Sequence, residues 1–236
     1  MTIQAIKTVR EIAVELPAAT RLFEKLGIDY CCGGARPLAE ACATAGLAVD
    51  EVVASLEQIT TVKEVEARDW RAASLSDLIA HINGTHHVFT REEFDRVEPL
   101  LAKVSRVYGE RRPELPRIQA LFLELKRELL PHLMKEEQVL FPYVRQLELA
   151  AAGQSARPAS YFGTVQNPVR MMMTEHEAAG DILRRLRELS NDFTPPEDAC
   201  VTYQTLYRAL EAFEQDLHQH IHLENNILFP RAIEME

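Results

Sequence analysis

Three observations on the 236-residue sequence predict an all-α fold. From Leu75 onward, apolar residues recur at helical spacing in four long segments. No run alternates apolar and polar with the period of two that marks a strand. Breaks rich in Gly, Pro, Ser and Asn separate the segments. Four long helices with three connections form a four-helix bundle, here preceded by a small helical N-terminal module.

The module occupies residues 1–65. Pro17 opens a helix ending at Leu26, which Gly27 closes, and Asp29-Tyr-Cys-Cys-Gly-Gly follows as a glycine-rich turn. A second helix covers Leu38 to Ala45, ended by Gly46, and a third runs from about Asp50 to Ile59. The charged stretch Thr60 to Ala73 reads as a linker to the bundle, residues 74–236. Bundle breaks fall near Gly109–Pro116, Ala150–Pro168 and Asn191–Pro196.

Composition narrows the function. With 26 Lys and Arg against 36 Asp and Glu, the net charge is −10, and an acidic surface argues against binding nucleic acid. No apolar run approaches the ~20 residues that span a bilayer, so no membrane is expected. Arg10, Glu11 and Glu15 interrupt the N-terminus where a secretory signal needs an apolar stretch. Four sparse Cys do not make a disulfide scaffold, and the expected compartment is a reducing cytoplasm.

The second and fourth bundle helices repeat a signature. His132-Leu-Met-Lys-Glu136-Glu-Gln-Val-Leu-Phe-Pro aligns without gaps on His220-Ile-His-Leu-Glu224-Asn-Asn-Ile-Leu-Phe-Pro. Ile118, Phe122, Leu125, Leu129, His132, Glu136, Val139 and Tyr143 step by alternating fours and threes, so a His and a Glu take slots where a bundle buries Leu. The preceding helices each hold a candidate His: His87 lies 45 residues before His132, and His176 lies 44 before His220. Two such hairpins face to face converge four imidazoles and two carboxylates. A lone buried His is most simply a satisfied core residue. Two buried Glu, each one turn after a His, are costly without a cation. A shell of four nitrogens with shared carboxylates suits iron better than magnesium or calcium, with zinc and manganese also compatible. Local periodicity favours His86 and repeat spacing favours His87 as the first ligand. His218 and His222 fall on another helix face and read as surface residues or partners of the ligands.

These residues resemble the repair-of-iron-centres family, bacterial di-iron proteins of the hemerythrin-like class, over the whole chain. The dicysteine turn resembles its N-terminal module, the two H-x-x-x-E-x-x-[VI]-L-F-P helices its metal helices, and Thr174-Glu-His-Glu177 its third-helix motif. The resemblance implies metal ligands at His87, His132, Glu136, His176, His220 and Glu224, and so selects His87 over His86. It implies two non-haem iron ions, oxo- or hydroxo-bridged, that bind nitric oxide or another diatomic ligand, and a stress role in repairing iron–sulfur proteins. Some relatives carry a further His where this chain has Tyr108. That residue lies 21 positions past His87, about 30 Å along a straight helix, and is left out of the ligand set.

Cys31 and Cys32 are candidate redox thiols, nitrosation sites or a metal hand-over point; the plainer alternative is small buried residues in a turn. Cys42 and Cys200 read as core, as does the Met171–Met173 run. Glu175 and Glu177 flank His176 as hydrogen-bond partners or exposed charges. Other functions compatible with the pattern are a hemerythrin-like gas carrier or sensor and a di-iron oxidoreductase. The sequence is compatible with a homodimer.

Overall fold

The computed structural model describes residues 4–61 and 69–236. Among these there is no β-strand; one isolated bridge pairs Thr8 with Pro37. Two compact units emerge, Met1–Ser74 with His218–Arg231, and Leu75–Leu217 with Ala232–Glu236.

The first unit contains α1 (Val9–Glu15), α2 (Ala19–Leu26), α3 (Leu38–Thr44) and α4 (Val49–Thr61). Helix α1 is absent from the sequence reading, although Thr8-Val-Arg-Glu11 carries its start signal. Thr8 Oγ1 accepts from the Glu11 N–H at 3.2 Å, and Glu11 Oε2 accepts from the Thr8 N–H at 2.8 Å, a reciprocal capping box. Helix α2 starts at Ala19 rather than Pro17 and ends at Gly27, whose φ of 66° is a left-handed cap that glycine adopts without strain. Val9, Ile12, Phe23, Leu38, Cys42 and Leu56 anchor the core of this unit. The dicysteine turn is folded by Asp29, whose Oδ1 accepts from the N–H groups of Cys31 (3.1 Å) and Cys32 (3.0 Å). Gly34 has no room for a side chain, since a Cβ there would lie 2.6 Å from the Tyr30 carbonyl oxygen. Of the expected linker, residues 62–68 lie outside those described. Farther along, the Arg231 guanidinium donates to the carbonyls of Trp70 (3.0 Å) and Ala73 (2.8 Å).

The bundle has four rods, as the periodicity predicts. The first joins α5 (Leu75–His81) to α6 (Val88–Tyr108) through a π-helical turn, Ile82–His87. The second joins α7 (Glu114–Lys135) to α8 (Phe141–Ala151) through a π turn at Glu136–Leu140. The third is α9 (Gln166–Leu189), unbroken. The fourth joins α10 (Val201–Leu223) to α11 (Phe229–Met235) through a π turn at Glu224–Leu228. In the second unit, Phe94, Phe122 and Phe213 bring α6, α7 and α10 together, with ring centroids 5.1 to 5.6 Å apart. The start of α5 is capped from α8: the Glu148 carboxylate accepts from the N–H groups of Leu75 (2.6 Å) and Ser76 (2.9 Å).

The π turns depart from the predicted regular helices. The Phe141 N–H bonds the Glu136 carbonyl and the Phe229 N–H bonds that of Glu224, five residues back instead of four. The core stripe slips accordingly: Val139 is half-buried, while Leu140 and Phe141 are buried. Each of these two turns precedes a Phe-Pro pair, with Pro142 and Pro230 six residues beyond Glu136 and Glu224. Proline offers no N–H and its ring crowds the carbonyl four residues earlier, so a widened turn accommodates it. Pro131, by contrast, sits exposed within an uninterrupted α7. No described helix is long and apolar enough to cross a membrane.

Candidate metal centre

The last turn of α7 and the first residue of the π turn after it present His132 and Glu136 on one helix face, both buried. One Glu136 oxygen lies 3.2 Å from His132 Nε2, and the other lies 3.5 Å from Nε2 of His87, the last residue of the first π turn. From α9, His176 points its Nε2 at that of His132, 3.0 Å away. The second repeat has the same local pair, His220 Nε2 lying 3.1 Å from Glu224 Oε1, with both residues buried. Two sets of buried residues hold their donor atoms within 4.8 Å of one another: His87, Glu136, His220 and Glu224, and His132, Glu136, His176 and Glu224. Both glutamates belong to both sets.

The donor chemistry fits a metal pair. Neutral imidazole binds a metal through one nitrogen while the other donates a hydrogen bond that fixes the tautomer. His87 Nδ1 lies 2.8 Å from Glu137 Oε1, and His132 Nδ1 lies 2.7 Å from Glu175 Oε2. With the proton on Nδ1, both rings offer their inner Nε2 lone pairs. The Glu137 carboxylate is gripped by Arg91 through two bonds, at 2.9 and 3.0 Å, and that of Glu175 is paired with Lys135. Burial pushes the Glu137 carboxyl up, but the bonds from Arg91 and His87 outweigh it and hold it below the usual range. The His132 bond, assisted by Lys135 against the effect of burial, brings Glu175 down to about 2.

The flanking residues divide clearly. His86 turns to Asp216, with Nδ1 2.9 Å from Oδ1, and its ring meets that of His81 edge-on. Glu175 serves His132 rather than the adjacent His176, and Glu177 is exposed. Tyr108 ends α6 beside Tyr203, ring centroids 5.3 Å apart, and hydrogen-bonds Cys200.

Several sequence expectations need correction. Cys200 is exposed, because it precedes α10 and does not lie on its core face. Of the methionine run, Met172 alone is core; Met171 and Met173 are exposed, since three consecutive residues on a helix cannot share one face. His218 is half-buried and bonds Glu24 (2.9 Å). His222 is buried against the Tyr30 ring, where loss of hydration brings it down to about 4. Cys31 is buried and Cys32 half-buried, neither in a disulfide, with sulfurs 3.8 Å apart. The bond to Cys32 and burial raise the Cys31 thiol well above its ordinary value, which disfavours the nucleophilic thiolate.

Comparison with known proteins agrees with this architecture. Residues 78–232 match the hemerythrin HHE cation binding domain, and residues 5–60 match a domain of unknown function, DUF542. The iron-sulfur cluster repair protein YtfE of Pectobacterium atrosepticum is 38% identical over 226 residues, 96% of each chain. Those of Citrobacter koseri and of an Escherichia coli strain are 38% identical over 224 residues, 94% of each chain. The chain belongs to the hemerythrin HHE cation-binding family and, within it, to the group of YtfE-like iron-sulfur cluster repair proteins.

Proposed function

We propose that this chain repairs iron–sulfur clusters damaged by nitrosative or oxidative stress, using two non-haem iron ions held by His87, His132, Glu136, His176, His220 and Glu224. The observation that carries the reading is Glu136, a fully buried carboxylate whose two oxygens approach the Nε2 atoms of two histidines from different rods. Such a group bridges two cations and is costly in their absence. Glu224, common to both donor sets, takes the matching role. The names of the full-length relatives support the repair activity.

His87, His132, Glu136, His176, His220 and Glu224 would hold the iron pair, which would supply binding sites for nitric oxide and iron for a damaged cluster. The protein's part is to hold four imidazoles with Nε2 inward and to keep water from a core lined by buried side chains. The substrate is an iron–sulfur protein, and the chain that meets it carries a net charge of −10.

The test is metal content and Mössbauer spectroscopy beside incubation with a protein whose cluster nitric oxide has damaged. We expect about two irons per chain, as in other carboxylate-bridged bundle sites, lost in both Glu136→Ala and Glu224→Ala, with cluster recovery lost in parallel. Reversible gas uptake without recovery would make the protein a carrier. Iron indifferent to both substitutions would defeat the reading.

A further inference from the structure

Glu136 and Glu137 are consecutive on one π turn and serve different ends. Glu136 points inward, while Glu137 reaches across to the first rod and meets two groups there, His87 Nδ1 at 2.8 Å and the Arg91 guanidinium at 2.9 and 3.0 Å. His87 and Arg91 are four residues apart on one rod, so the carboxylate of Glu137 closes a ring with a ligand histidine and an arginine one turn beyond it. The geometry uses the two properties that separate arginine from lysine: a planar fork that matches both carboxylate oxygens, and a charge that persists at every relevant pH. A half-exposed glutamate on its own rotates among several rotamers. Held by a fork, it keeps one oxygen in line with the imidazole N–H.

The arrangement is specific to the first repeat. The position equivalent to Glu137 in the second is Asn225, whose amide donates to the Cys31 carbonyl at 3.4 Å. It is also distinct from the His132 pair, where Glu175 is backed by Lys135, a point charge on a flexible stem.

We propose that Arg91 is a positioning residue of the metal centre. It acts through Glu137 to fix the His87 ring and its Nδ1–H tautomer, so that Nε2 faces the metal. This rests on the metal-binding reading above.

The test uses the full chain with zinc as a diamagnetic probe. Affinity is measured by chelator competition, and the His87 ring N–H is followed by nitrogen-15 NMR of the zinc-loaded protein. Arg91→Met is expected to weaken zinc binding about ten-fold or more, the scale of an outer partner's removal, and to broaden or lose the His87 Nδ1–H resonance. Arg91→Lys should recover part of both, and Lys135→Met should leave the His87 resonance in place. Melts of the metal-free variants separate folding from positioning; should Arg91→Met not fold, Glu137→Gln and Arg91→Lys carry the test. Unchanged affinity and an unchanged resonance in Arg91→Met would overturn the proposal. A wild-type chain that binds no zinc, and no iron in the preceding experiment, would defeat the metal reading itself and this proposal with it.

Discussion

The two H-x-x-x-E turns share a backbone device and differ in what surrounds it. Both run from an α-helix into a π turn at the glutamate, and both resume helix at Phe-Pro. In the first repeat the outward positions meet solvent: Met134 is 50% exposed and Gln138 is exposed. In the second, the equivalent His222 is 3% exposed, and Asn226 donates to the Tyr30 carbonyl at 3.0 Å and to His222 Nδ1 at 2.9 Å. An exposed methionine and a buried histidine thus occupy matching positions, the reverse of their polarity. The repeat fixes inward-facing residues, whereas outward ones answer to what covers them, here the Tyr30–Cys31 segment of the first unit.

The largest test of the shared device is the residue that ends it. Phe141 and Phe229 are each 1% exposed, and Phe141 also stacks on His87 with centroids 5.8 Å apart. Phe141→Ala and Phe229→Ala should each cost about 3–5 kcal/mol, the usual loss for a buried ring, read by denaturant unfolding. A large loss in one and none in the other would break the equivalence.

A second test isolates the covered turn. Folding lowers the His222 pKa from its ordinary value to about 4, so between those values the unfolded chain takes up a proton that the folded chain refuses. Stability contributed by neutral His222 is full above the unfolded pKa, near 6.5, and declines as pH falls to about 4. Below the folded pKa the dependence levels off. The difference amounts to about 3 kcal/mol at most, at roughly 1.4 kcal/mol per pKa unit. His222→Gln should flatten the decline in melting temperature across this window, while Met134→Gln in the first repeat should leave it as in the wild type.

A third test deletes Gln138 from the π turn of the first repeat. Removing one residue from a π turn returns it to α-helix while Glu136 and the buried Phe141 keep their faces. Pro142 would then sit inside a regular helix, so the expected cost is about 3 kcal/mol, that of an interior proline. Glu137 would lose its aim at His87, which the ring N–H resonance reports. A collapse in stability would show that the π turn is required for folding itself.

The four rods and the repeated, buried His–Glu pairs were legible because burial imposes a helical period and because a His and a Glu stand out in slots that otherwise hold Leu. The π turns were not, since period counting assumes a constant angle per residue. Phe-Pro after each glutamate was the available sign, and it shifts Val139 out of the stripe in favour of Leu140 and Phe141. Helix α1 was legible in principle through Thr8 and Glu11, but its seven residues gave periodicity too little length to register. Glu137 and Arg91 met across two rods, a pairing set by tertiary packing that neither segment announces. The burial of His222 likewise depends on Tyr30, almost two hundred residues away.

The caps of α1 and α5 have opposite consequences for how the chain acquires its structure during synthesis. Thr8 and Glu11 emerge together, so the first helix can close its start as soon as it leaves the ribosome. Leu75 and Ser76 wait for Glu148, more than seventy residues later in translation. Until α8 emerges, the N–H groups of Leu75 and Ser76 lack the carboxylate that accepts from them in the folded chain, so the start of the first bundle rod depends on a later segment.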